Sequence, residues 1–133
     1  MLQKGCVDFL DADLIKIAFE ARERAYAPYS GFKVGAALLT EKGKIYTGCN
    51  IENSSYGNTV CAERVAFLKA VSEGARKFKK IAVTAMPCGI CRQLMAEFCS
   101  GDFEIIVGDR PEKFKTWKLE DILPEAFVLN KED

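Results

Sequence analysis

From the strand in the apolar run "DFEIIVGD" to the next extended run "KFKTWKL" the connection is only about "GDRPE", and no other feature limits the topology of the chain so much. A parallel return to the same sheet needs a crossover of about a dozen residues or more, so these last two strands must run antiparallel. Upstream, Leu14, Ile17, Ala18, Ala21 and Ala25 recur at helical spacing among Glu20, Arg22, Glu23 and Arg24, which predicts an amphipathic helix over 11–27 that Pro28 ends. "FKVGAALLTEKGKIYTGCNIE" reads as a hairpin turning at Glu41-Lys42-Gly43-Lys44. After the polar loop "NSSYGNT", "CAERVAFLKAVSEG" predicts a second, mostly buried helix closed by Gly74. "KKIAVTAM" is then a strand, and "CGICRQLMAEFCSG" a third helix with Pro87 in its first turn and Gly101 at its end. "LEDILPEAF" adds a short helical turn. The whole reads as a mixed sheet with helices packed on its faces, one domain over 1–133, without repeats or linkers.

A chain of 133 residues with 49% hydrophobic content has material for one core of its own. Lys and Arg number 19, as do Asp and Glu. That balance gives no general pull toward nucleic acid or an anionic membrane and suits a small neutral ligand. The start, "MLQKGCVDFLDADLIK", carries no apolar run behind a basic end, and no segment approaches the roughly 20 apolar residues of a membrane span. A soluble, cytoplasmic protein is expected. Cysteines at 6, 49, 61, 88, 91 and 99 therefore read as reduced thiols rather than a disulfide framework. Histidine is absent, which excludes Ser/His and Cys/His catalytic pairs and any imidazole-ligated zinc.

A transition-metal site here must use cysteine and carboxylate. Cys88 and Cys91, one turn apart at the start of the third helix, project from one face. Alone they could equally be a redox pair or a structural fragment. Cys61 also stands at a helix N-terminus, and the strand "KKIAVTAM" brings the third helix beside the second, so three thiolates converge. Cys6, Cys49 and Cys99 lack such placement and read as small core thiols, Cys49 adjoining Asn50. Three ligands leave zinc a position open for water, the arrangement of a catalytic rather than a structural site.

Glu63 lies two residues after Cys61, and Pro87-Cys88-Gly89-Ile90-Cys91 follows, the order of ligands and non-ligating proton carrier in the zinc deaminase signature. Its plainer reading is a first-turn glutamate that complements the helix dipole. Zinc with three thiolates is net negative and a poor acid for its water unless charge is withdrawn. Arg64, next in the chain, is the candidate to do so by hydrogen-bonding the sulfurs, aided by the two helix N-termini. Its alternative is a solvated helix arginine.

With "APYSGFKVGAALL", "GCNIENSSYGNTVCAERVAF", "PCGICRQ" and "LPEAF" in that order, nearly the whole chain resembles the cytidine deaminases of the small three-cysteine type. The resemblance implies a three-layer α/β/α cytidine deaminase-like fold on a mixed five-stranded sheet. It implies hydrolysis of cytidine and 2′-deoxycytidine to uridine and 2′-deoxyuridine with release of ammonia, using one Zn²⁺ per subunit. Glu63 would take a proton from the nucleophilic water, pass it to the ring N3 and assist departure of the amine.

The resemblance also assigns Asn50 and Glu52 to the ribose 3′-hydroxyl, Phe32 to the pyrimidine face, the Ala62 N–H to the base carbonyl and the Met86 carbonyl to the exocyclic amine. Phe127 and Tyr56 would reach a neighbouring subunit's site, which implies a homotetramer. One departure stands out: the segment before "PCG" is shorter than usual, and Met86 sits where a small hydroxylated residue is common. Two other readings remain: a deaminase of a modified nucleoside such as blasticidin S, and a catalytically silent zinc-binding module acting as a nucleic-acid adaptor. The "NIENSSYG" loop and Phe127 favour cytidine over the first. Neutral charge and the intact Cys61-Ala62-Glu63 argue against the second.

Overall fold

The computed structural model describes residues 10–129. In chain order the elements are α1 (Asp11–Arg22), β1 (Gly35–Thr40), β2 (Ile45–Cys49), α2 (Ala62–Ser72), β3 (Phe78–Val83), α3 (Gly89–Phe98), β4 (Glu104–Arg110), β5 (Lys113–Lys118) and α4 (Leu119–Ile122), with a 3₁₀ turn at Tyr56–Asn58. The five strands form one sheet in the order β2-β1-β3-β4-β5. β1 is antiparallel to both β2 and β3. The β3–β4 pair, joined through α3, is parallel, and β5 returns antiparallel to β4 across Pro111 and Glu112, as so short a connection demands.

Alternation along the strands divides the core in two. Ala37, Leu39, Ala82 and Ile106 face α1, where they pack with Leu14, Ile15, Ala18 and Phe19. Ala36, Leu38, Ile81, Val83 and Ile105 face the other way, toward Ala66 and Phe67 of α2 and Met95 of α3. The sheet is therefore the middle of three layers. β1, "GAALLT", is buried along its whole length because both of its faces are covered, and it reads as a continuous small and apolar run for that reason. Asp11 in the first turn of α1 is tied to the sheet by Lys80 Nζ at 2.7 Å, an ion pair between residues far apart in the chain.

Two glycines set how closely the helices approach. A Cβ on Gly35 would lie 2.0 Å from the Ala18 carbonyl oxygen in α1, and one on Gly48 would lie 2.3 Å from the Ala62 carbonyl oxygen in α2. Only hydrogen fits at either position.

Three boundaries differ from the sequence reading. The first helix stops at Arg22, not Ala27. Tyr26 instead pairs with the segment after β2, its N–H donating to the Asn50 carbonyl and its own carbonyl accepting from the Glu52 N–H. This pairing and the extended backbone favoured before Pro28 override the helical pattern. Pro87 lies outside α3, because Cys88 holds the N-cap position. The third helix ends at Phe98, where the backbone turns extended at Cys99, before Gly101 is reached. Cys6 lies outside the described residues.

Candidate metal centre and active site

β1 begins, and β2 and β3 end, at one end of the sheet, and the N-termini of α2 and α3 open there. Cys61 is the N-cap of α2 and Cys88 the N-cap of α3, both with extended backbone and neither using its side chain as a cap. Cys91 lies in the first turn of α3 and is fully buried. The Cys61 and Cys88 sulfurs are 3.9 Å apart, those of Cys88 and Cys91 3.7 Å, and all three lie within 4.8 Å of one another. Among the described residues this is the one group of three or more cysteine, aspartate or glutamate side chains arranged to hold a metal ion. No disulfide joins the cysteines at 49, 61, 88, 91 and 99 among the described residues.

The donor set fits zinc. With Zn–S bonds of about 2.3 Å, a tetrahedral centre has edges of about 3.8 Å, close to the separations observed here. Without the ion, burial pushes the Cys61 and Cys91 thiols up, and in Cys91 the Glu63 carboxylate pushes in the same direction. Burial acts on Cys88 as well, but the N–H groups of Cys91 and Ile90 and the neighbouring thiols outweigh it and bring Cys88 below its ordinary value. The turn thus lowers the proton affinity of the most exposed of the three.

Glu63 follows Cys61 into the first turn of α2 and is only 4% exposed. Burial raises its carboxyl above the ordinary range, opposed by its own backbone N–H and the Cys91 thiol. A glutamate on the wet face of a helix would show neither feature. The plain dipole-complementing role therefore does not account for its position.

Asn50 comes directly after β2 and is 9% exposed. Its Oδ1 accepts the Val34 N–H at 2.8 Å, and its Nδ2 donates to the Phe32 carbonyl at 2.9 Å. The amide is thereby locked, with one Nδ2 hydrogen left over. Glu52 accepts N–H bonds from Tyr29 at 2.9 Å and Ser30 at 3.1 Å, and the Ser30 hydroxyl as well. The Ser30 hydroxyl and these amides hold its carboxyl below the usual range. Tyr29, Ser30, Glu52, Tyr56 and Thr59 line a cleft of about 430 Å³.

Phe32 is exposed, not core as an aromatic ahead of an apolar strand would ordinarily be. Tyr56 and Phe127 are 75% and 71% exposed, and Met86 also stands at the surface. Tyr56 packs its ring 6.1 Å from that of Tyr29. Ala62, the first residue of α2, is buried and offers an N–H for which the helix itself has no acceptor. Arg64 is half-buried, and its side chain forms no hydrogen bond or ion pair with a described residue.

Sequence reading missed Thr84, whose Oγ1 accepts the Gly35 N–H at 3.0 Å while its own N–H donates to the Gly35 carbonyl. The available signal was a hydroxyl at the end of an otherwise apolar strand. It also missed Ser30 and Tyr29, which "APYSGF" offers only as turn residues. A larger groove, of about 620 Å³, lies at the far end of the sheet near Thr40, Lys44 and Arg76. Its polar groups hold the fold: Lys44 pairs with Glu73, and Arg76 donates to the carbonyls of Val71 and Ala75.

Three thiols suited to zinc beside a buried carboxyl, at the helix N-termini of an α/β/α sandwich, are the equipment of a zinc-dependent deaminase. The sequence profile described as "Cytidine and deoxycytidylate deaminase zinc-binding region" matches residues 10–107. The chain belongs to that family. It is 52% identical over 126 residues to the cytidine deaminase of Sporosarcina psychrophila, covering 90% of this chain and 91% of the relative. It is 50% identical over 121 residues to that of Halalkalibacterium halodurans, covering 86% and 92%. The crystal structure of cytidine deaminase from Burkholderia pseudomallei superposes with a TM-score of 0.86 at 44% identity, covering 90% of this chain and all of that one. No helix among the described residues is long and apolar enough to cross a membrane.

Proposed function

We propose that this chain catalyses hydrolytic deamination of cytidine and 2′-deoxycytidine, adding water at C4 of the ring and releasing ammonia to leave uridine or 2′-deoxyuridine. The observation that carries the proposal is the convergence of Cys61, Cys88 and Cys91 beside the buried Glu63. The names of the relatives support cytidine over a modified nucleoside such as blasticidin S.

Cys61, Cys88 and Cys91 would hold one Zn²⁺ per subunit, and Arg64, whose side chain makes no bond to the thiols, would have to turn toward the sulfurs to draw charge from them. When bound, the ion supplies the Lewis acidity that makes water a nucleophile near neutral pH. Glu63 carries the protons, accepting one from the water and delivering it to the ring N3, then taking the second from the hydroxyl added at C4 and passing it to the departing amine as the C4 carbonyl forms. Its burial supports this role, since a carboxyl whose proton affinity is raised exchanges protons more readily near neutral pH.

The Ala62 N–H, without a helical acceptor, would donate to the base carbonyl, and the Met86 carbonyl would accept from the amine. Phe32, exposed beside the Asn50 amide, would cover the pyrimidine. Asn50 and Glu52 would hold the ribose 3′-hydroxyl. Their fixed geometry supports this role, because Asn50 keeps one donor and Glu52 remains an ionised acceptor.

The exposure of Phe127 and Tyr56 supports a homotetramer in which neighbouring subunits cover these rings. We read 1–133 as one domain acting in the cytoplasm on free nucleosides, without nucleic-acid or membrane partners.

The test is loss of the cytidine ultraviolet band over time, with zinc content measured on the same samples. Glu63→Gln should keep zinc and lose about 10²- to 10⁴-fold in kcat. Full activity in a zinc-loaded Glu63→Gln protein would remove the proposed proton carrier. Cytidine left unchanged by the zinc-loaded natural sequence would favour a modified nucleoside or a silent zinc fold.

A further inference from the structure

Arg92 follows the third thiol, and three of its nitrogens bind three carbonyls. Its backbone N–H donates to the Cys88 carbonyl at 3.0 Å. Its Nε donates to the Pro87 carbonyl at 2.9 Å, and its Nη1 to the Ile122 carbonyl at 2.7 Å. Pro87 and Cys88 are consecutive, so one residue grips both peptide units from which the Cys88 side chain departs. Pro87 is fully buried, and the guanidinium is the partner its carbonyl finds there.

Ile122 is the last residue of α4, and its carbonyl has no helical donor, so Arg92 also closes that helix end. Beyond it the chain runs back as a strap, residues 123–129. Gln93, next to Arg92, donates from Nε2 to the Phe127 carbonyl at 2.6 Å. Glu125, between the two tethers, has φ of 52°, the left-handed conformation that a side chain disfavours and that persists only when its surroundings impose it. Leu123 and Val128 pack against the core on either side of it.

We infer that Arg92 is a positioning residue that locks the ligand-bearing turn 87–88 to the C-terminal strap, so that the aim of the Cys88 thiol depends on the strap being docked. A fork is needed for this, since Nε and Nη1 point to separate carbonyls on separate segments. A single ammonium cannot reproduce that geometry.

The inference rests on the reading of Cys88 as a metal ligand. The test uses the full-length, zinc-loaded protein with Arg92→Gln, Arg92→Lys and Gln93→Ala. It follows zinc transfer to a colorimetric chelator and amide exchange in 123–129, readouts that do not depend on turnover. Both Arg92 variants should lose zinc roughly 10- to 100-fold faster, the size of effect typical when a group supporting a metal ligand is removed, with faster exchange in the strap. Rescue by Arg92→Lys would overturn the inference, and so would unchanged zinc loss in folded Arg92→Gln.

Should the Arg92 variants not fold, Gln93→Ala decides, because it frees the strap while leaving the turn's own hydrogen bonds in place. Faster zinc loss together with faster strap exchange supports coupling. Faster strap exchange at an unchanged rate of zinc loss refutes it. Failure of the underlying metal reading looks different, since the natural sequence itself would then bind no zinc.

Discussion

Gly48 on β2 and Ala62 at the start of α2 are packed backbone to backbone, so closely that a Cβ on the glycine would stand 2.3 Å from the Ala62 carbonyl oxygen. The same Cβ would meet the Ala66 backbone nitrogen at 2.7 Å. This contact seats the helix whose first residues are Cys61, Ala62 and Glu63. Gly48→Ala must therefore push α2 away from the sheet. We expect a loss of roughly 3 kcal/mol in unfolding free energy, at the upper end for overpacking, and a clear drop in kcat. Thermal unfolding and a cytidine assay on the same preparation would check both; unchanged stability would mean that the two backbones can part at little cost.

Thr84 should matter beyond its size. Thr84→Val keeps the shape but strips the Gly35 N–H of its acceptor at a buried position. The expected loss is about 1–3 kcal/mol, measured by denaturant unfolding with an unaltered m-value. Thr84→Ser, which retains the oxygen, should recover most of it.

Glu52 supplies the pH dependence. Its folded carboxyl lies below the ordinary range, so the stability it contributes is present above the unfolded value and disappears as pH falls through the lower folded one. Glu52→Gln should therefore melt below the natural sequence at neutral pH, and the two curves should converge in acid. With the ribose role proposed above, KM for cytidine should rise on the order of tenfold with a smaller change in kcat, the pattern of lost ground-state binding. A kcat loss at constant KM would assign Glu52 to the chemistry instead.

Metal removal gives the fourth expectation. Three thiols whose sulfurs lie within 4.8 Å in the folded chain bind zinc in the native state far better than in the unfolded one. Zinc at about a hundredfold over its Kd then stabilises by about 2.7 kcal/mol. Chelation should lower Tm by roughly 10 °C, and zinc should restore it where magnesium does not, because thiolates select the softer ion. Restoration by magnesium would point to carboxylate ligation elsewhere.

Much of this protein is legible in the order of its residues. The strands, the hairpin, the antiparallel ending and the three thiols with Glu63 follow from local spacing, from turn residues and from a loop too short for a crossover. Where the reading fails, the cause lies in partners distant in the chain. The helical pattern of 11–27 says nothing of the bonds Tyr26 makes to Asn50 and Glu52, and these end the helix at Arg22. Asn50 and Glu52 look like loop residues until Val34, Phe32, Tyr29 and Ser30 are seen around them.

The chain by itself determines which chemistry is available, since residue type sets ligand softness, proton affinity and the absence of imidazole. Tertiary structure alone decides that Cys61 meets Cys88, 27 positions further along the chain, at 3.9 Å, that burial raises the Glu63 carboxyl above its ordinary range, and that Arg92 ties one ligand turn to the C-terminal strap. These depend on distance and burial, which arise only when the two faces of the sheet are covered.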